Sequence, residues 1–244
     1  MISVNKVRNT VLFLLEKENR GFLAPQASDS FGDLAQMEIF ENLFYQYNKW
    51  IINESRHLSN NDFADIPKNI QEQIDTFSEY STPENFTYDN LTDTWKYSGS
   101  DLYTTGALSL VNSSGKKVDI ELVAKGPIWN NMINSKINAP SVTFPIYTKI
   151  NKGYRVAPKA PTGYSVELFY IRRPKAPKWT YVTDSNGNPI FNAGASDRQD
   201  FELDESLFYP LVMKIMGFCG IQIQESDIVA IAANADLATD QKQS

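Results

Sequence analysis

Apolar residues open the chain at helical steps. Val4, Val7, Val11 and Leu14 recur three and four residues apart, Ser3 stands where an N-cap belongs, and Gly21 supplies a C-terminal stop. A second, longer helix begins between Pro25, suited to a first turn, and Ser30, whose spacing to Asp33 resembles a capping box. Its apolar positions are Phe31, Leu34, Ala35, Phe40, Leu43, Phe44, Tyr47, Trp50 and Ile51, so the helix reaches the low fifties. A third follows Pro67 through Ile70, Ile74 and Phe77.

From Pro83 the period changes to two, and Thr, Tyr, Val and Gly become frequent. Ala107–Val111 and Lys117–Ala124 flank Asn112-Ser113-Ser114-Gly115-Lys116 as a hairpin, with Val118, Ile120 and Leu122 on one face. Pro127–Ile133 adds a helical turn. Gly163 precedes a long strand, Tyr164–Arg173, and Asn186-Gly187 marks a tight turn between Trp179–Thr183 and Ile190–Asn192.

After Phe201 the helical period returns in Leu203, Leu207, Leu211 and Ile215, with Tyr209-Pro210 an irregularity and Gly217–Gly220 a break. Ser226 or Asp227 caps a final helix through Ile228, Ile231, Ala232 and Ala235. The pattern predicts an α+β fold: N-terminal helices over 1–82, a central antiparallel β-rich region over 83–200, and a C-terminal helical hairpin over 201–244. The terminal helices are expected to pack together as one unit. No internal repeat points to a solenoid or propeller.

Charge adds a polarity that the net value of −6 conceals. Lys149, Lys152, Arg155, Lys159, Arg172, Arg173, Lys175 and Lys178 stand against Glu167 alone, whereas eight acids between Asp200 and Asp240 stand against Lys214 alone. Such asymmetry speaks of partners. The acidic balance argues against a general nucleic-acid coat. Arg172, Arg173, Lys175 and Lys178 crowd around Pro174 and Pro177, which favour an extended backbone, and Trp179 follows as an apolar anchor. These five residues are the expected assembly interface. Non-specific DNA contact by the same basic segment is the rival reading.

Candidate chemistry is sparse. The single His57 and the single Cys219 stand far apart, without a third orienting group and too few for the usual zinc sets, and no phosphate loop or hydrolase motif is found. Glu202, Asp204 and Glu205 cluster, yet they begin an expected helix, where acids favour the positive end of the dipole. The expectation is therefore no catalytic residue, no metal and no cofactor. Trp50, Trp95, Trp129 and Trp179 fit core or interface positions, and Cys219, among apolar neighbours, reads as a buried, inert thiol. No run approaches the roughly 18 apolar residues of a spanning helix, and the start lacks a cleavage site, so a soluble, non-secreted chain is expected.

Two stretches carry a resemblance. Asn9 to Pro25 running into Asp33-Leu34-Ala35-Gln36, and Val166 to Trp179 followed by Asp200-Phe201-Glu202-Leu203, resemble ring or adaptor proteins stacked below the portal in crAss-like and related tailed bacteriophages. The likeness covers the two ends of the chain and leaves the middle unmatched. It implies a virion structural protein of the head-to-tail connector, one of identical subunits, twelve to a ring, joining portal to tail around the DNA exit channel. Its partners would be its own copies, the portal and other tail or ring proteins, assembled in the host bacterial cytoplasm without a membrane. The competing expectations are a receptor- or glycan-binding tail module and a virion-associated hydrolase.

Overall fold

The computed structural model of the chain describes residues 1–16, 23–55, 66–124, 126–150 and 153–223. The described residues form an α+β protein of two compact units, divided between Ile74 and Asp75 and between Arg173 and Pro174. The sequence pattern placed these changes later, near 82 and 200.

The helical unit contains α1 (Val4–Glu16), α2 (Pro25–Ser55), most of α3 (Ile66–Asp75) and α5 (Phe208–Ile223). Val4, Val7 and Val11 of α1 are buried, and the next buried position is Leu15, not Leu14. Both residues fall one turn beyond Val11, and packing selects between them. Along α2 the core residues are Ala35, Ile39, Phe40 and Leu43, while Leu34, expected inside, is exposed. Helix α5 packs against α1 and α2 through Leu211, Val212, Ile215 and Cys219, and Phe218 stacks on Phe31 at 6.2 Å.

Helix α5 runs through Gly217 and Gly220, where a break was expected. Glycine costs a helix interior about 1 kcal/mol relative to alanine, and the buried apolar face outweighs that. Pro210 sits in the first turn, where its missing N–H is no loss. Gly21 and the second helix of the expected C-terminal hairpin, with its Ser226 or Asp227 cap, lie outside the described residues.

The sheet unit is built on eight strands in the order β1 (Ser78–Tyr80), β8 (Tyr164–Arg172), β4 (Leu102–Asn112), β5 (Lys117–Leu122), β6 (Ile146–Ile150), β7 (Gly153–Ala157), β3 (Thr94–Tyr97) and β2 (Phe86–Asp89). Among the described residues only β5 and β6 pair in parallel. The sheet curls about a core of Phe86, Leu108, Leu110, Ile120, Tyr147, Tyr154, Val166, Leu168 and Tyr170, so far that Tyr97 of β3 hydrogen-bonds Tyr170 of β8 at 2.8 Å. Gly106 lies where β4 bulges against β8, and a Cβ there would sit 2.5 Å from the Phe169 ring. Phe77, expected at the end of the third helix, follows it and is buried in this unit. Leu122, expected on the same face of β5 as Ile120, is exposed at the strand end. Helix α4 (Pro127–Ile133) seats Trp129 against Val123 and Ile146.

The hairpin β9 (Tyr181–Thr183) and β10 (Pro189–Phe191) belongs to the helical unit. Its turn is held by the Asp184 carboxylate, which accepts the N–H groups of Asn186 and Asn188 at 2.9 and 2.8 Å. Gly187 takes the positive φ that this turn requires, 84°.

Candidate assembly site

In the helical unit, four distant pieces of chain meet around buried polar groups: α1, α2, the strap Pro174–Trp179 and the segment Asp200–Leu203. Gln36 is fully buried on α2. Its Nε2 donates to the Lys175 carbonyl at 2.9 Å, and its Oε1 accepts the Glu202 N–H at 2.9 Å. The Lys175 N–H donates to Glu202 Oε2 at 2.8 Å and closes the cycle. Buried amides and carboxylates are costly unless paired, so this cycle fixes the register of the strap.

One step along, Trp179 is buried. Its backbone N–H donates to Asp29 Oδ1 and its indole N–H to Asn5 Oδ1, each at 3.0 Å. The Arg8 guanidinium lies 4.3 Å from the Trp179 ring, and Tyr181 and Phe191 stack on that ring at 5.5 and 6.0 Å. Arg8 donates through Nη2 to the Leu23 carbonyl at 3.0 Å, while its buried Nη1 has no partner. Burial lowers the Arg8 pKa against the pull of Asp29. Burial likewise raises that of Asp29, opposed by the Trp179 N–H, Arg8 and Lys178.

The chain start is tied to the same place. Ile2 and Phe201 exchange backbone hydrogen bonds at 3.2 and 3.0 Å, and Asp200 Oδ1 accepts the Val4 N–H at 3.0 Å. Asp200 thus caps α1 more closely than Ser3, whose hydroxyl is 3.5 Å from the Lys6 nitrogen. Gly32 lets Phe201 and Pro177 approach α2, since a Cβ would lie 3.0 Å from the phenyl ring.

The expected interface residues are not brought together as one exposed surface. Trp179, expected as an anchor offered to a neighbour, is buried in its own unit, because its ring covers Arg8. Arg172 is buried in the sheet unit, where Nε donates to Glu79 Oε1 at 2.6 Å and Nη1 to the Arg173 carbonyl at 3.2 Å. Beside it, Tyr170 and Tyr97 share a hydrogen bond, Tyr97 donates to Asp101 at 2.7 Å, and burial raises both phenol pKa values. Arg173, Lys175 and Lys178 are exposed, and Lys178 pairs with Asp197 at 2.7 Å.

The clustered acids have separate tasks. Glu202 closes the buried cycle, Asp204 caps the 3-10 turn Glu205–Leu207 by accepting the Ser206 N–H, and Glu205 pairs with Lys6. Cys219 is buried, and burial pushes its thiol up to about 11, so it stays protonated at neutral pH. His57 lies outside the described residues. Sequence reasoning passed over Asn5, Arg8 and Asp29 and met Gln36 only within the resemblance, though Arg8 sits among Val4, Val7 and Val11 on an apolar face. No family model matches the chain, and no curated protein matches it in sequence.

Proposed function

We propose that the chain is a non-enzymatic structural subunit of a tailed-phage virion, one of identical copies in a head-to-tail connector ring beside the portal and around the DNA exit channel. The observation that carries this reading is the convergence of its resemblance-bearing segments. Asp33–Gln36, Pro174–Trp179 and Asp200–Leu203 meet in the buried cycle of Gln36, Lys175 and Glu202. These parts of the likeness build the helical unit, while Val166–Arg173 of the same likeness lies in the sheet unit. The layout of N-terminal helices, central β region and C-terminal helical hairpin belongs to the same reading.

Charge supports it. The helical unit holds 12 Lys and Arg against 20 Asp and Glu, a net of −8, and the sheet unit 11 against 9, a net of +2. Opposite balances on two units of one chain suit a contact in which one copy meets the next by unlike surfaces. Native mass spectrometry and imaging of the full chain, alone and with the portal, test the proposal. A closed ring that weakens at high salt is the expected result. A chain that stays monomeric in both conditions overturns it.

A second reading rests on a cleft of about 320 Å3 in the sheet unit, lined by Phe86, Tyr88 and Trp95 with Ser81, Ser165 and Glu167. Aromatic faces beside hydroxyls and a carboxylate suit a sugar, as in a receptor-binding tail module. Titration of host surface glycans against the chain and Trp95→Ala checks it. Saturable binding lost in the variant is expected on that reading, and no binding removes it.

A further inference from the structure

Between Glu121 and Glu167 the chain holds no acidic residue, yet Lys125, Lys136, Lys149, Lys152, Arg155 and Lys159 fall inside that stretch. Its first part also exposes Leu122, Ile128, Ile133, Ile137 and Phe144, with Ile137 at 92% and Phe144 at 78%. Single exposed apolar side chains are ordinary, but so many in one short segment mark a contact surface.

The segment is held in a built conformation. Trp129 and Met132 pack inward against Val123 and Ile146. The Ser135 hydroxyl accepts the N–H groups of Ile137 and Asn138 at 3.2 and 2.9 Å, and the Ser141 hydroxyl accepts that of Phe144 at 3.2 Å. The fold thus presents an apolar loop that carries the exposed Lys136 and no acidic residue.

Its complement is on α2. The burial pattern there leaves Leu34, Glu38, Glu41 and Tyr45 exposed at steps of four, three and four, which is one stripe of a helix. Glu38, paired with Lys214 at 2.8 Å, and Glu41 stand between two large apolar side chains, on the unit that carries the acidic excess. We propose that the loop Leu122–Phe144 of one copy docks on the Leu34, Glu38, Glu41 and Tyr45 stripe of the next. The isoleucines and Phe144 cover Leu34 and Tyr45, and Lys136 faces Glu41. Donor and acceptor are different surfaces, so the contact propagates head to tail and yields a ring when the rotation closes. The inference rests on the proposed subunit role and adds the surface through which copies meet.

The test uses the full chain under the conditions in which the wild type assembles. Ile137→Asp with Phe144→Asp should leave the melting temperature unchanged, since both positions are exposed, and should return the chain to monomer. Lys136→Glu and Glu41→Lys should each weaken assembly about fivefold at low salt, the effect of about 1 kcal/mol. Combining the two reversals should restore it. Rings that form normally with both aspartates overturn this surface and leave the subunit role standing. A wild-type chain that is monomeric alone and with the portal overturns both. Loss of binding to anionic vesicles in the aspartate variant, with assembly intact, reassigns the loop to a membrane surface and overturns the contact between copies.

Discussion

Trp179→Ala should destabilise the helical unit by about 3–5 kcal/mol, the range for removing a large buried aromatic. The ring does more than fill space. It lies against the Arg8 guanidinium, and a desolvated contact of this kind contributes about 2 kcal/mol. Arg8 already has one buried nitrogen without a partner, so loss of the ring removes its remaining apolar cover. The indole N–H leaves Asn5 Oδ1 without its donor, and Tyr181 and Phe191 lose the platform on which the β9–β10 hairpin rests. Trp179→Phe separates these contributions. It keeps an aromatic face for Arg8 and loses the indole donor, so about 1 kcal/mol is expected from the hydrogen bond. Urea unfolding followed by circular dichroism measures both variants. A cost under about 1 kcal/mol for Trp179→Ala would show that the strap is held by the Gln36 cycle alone.

What could be read from the sequence was local. The period of α1 is carried by Val4, Val7 and Val11, and the alternation of β8 buries Val166, Leu168 and Tyr170 in turn. The same alternation places Arg172 on the inner face, but the run of neighbouring basic residues suggested an assembly interface. Local charge and strand period disagreed, and the strand period decided because Glu79 supplies a partner across β1. Gln36 shows the limit of such reading. Its two hydrogen-bond partners lie 139 and 166 residues away, so no window of sequence reveals why an amide belongs inside a helix face. Trp179 was singled out as an aromatic anchor, but its target, Arg8, is in the same chain. The strand order and the parallel pairing of β5 with β6 are likewise non-local. Propensity misled at Gly217–Gly220, where burial of Leu211, Ile215 and Cys219 carries the helix through.

Arg172→Glu and Arg173→Glu should part company although the residues are adjacent. The Arg172 side chain is 10% exposed, bonded to Glu79, and its guanidinium lies 5.7 Å from the Phe77 ring. Reversal sets a second carboxylate beside Glu79 inside the sheet unit, where Tyr170 already directs its hydroxyl at that group. Removing one partner of a buried pair costs about 3–5 kcal/mol. Glu79 is 47% exposed and regains water, so the lower end, about 3 kcal/mol, is expected for Arg172→Glu. Arg173 has its side chain in solvent and bonds through its backbone N–H to the Asp101 carbonyl at 2.6 Å, which a side-chain change leaves in place. Arg173→Glu should shift stability by no more than about 0.5 kcal/mol. Thermal unfolding of the two single variants checks this, and equal melting temperatures would refute it. Arg173→Glu, not Arg172→Glu, is therefore the variant that reads the basic segment's partner. Together with Lys175→Glu it should block assembly when the segment meets acids of a neighbouring copy or the portal. Rings that form normally but no longer retain DNA would assign the segment to DNA.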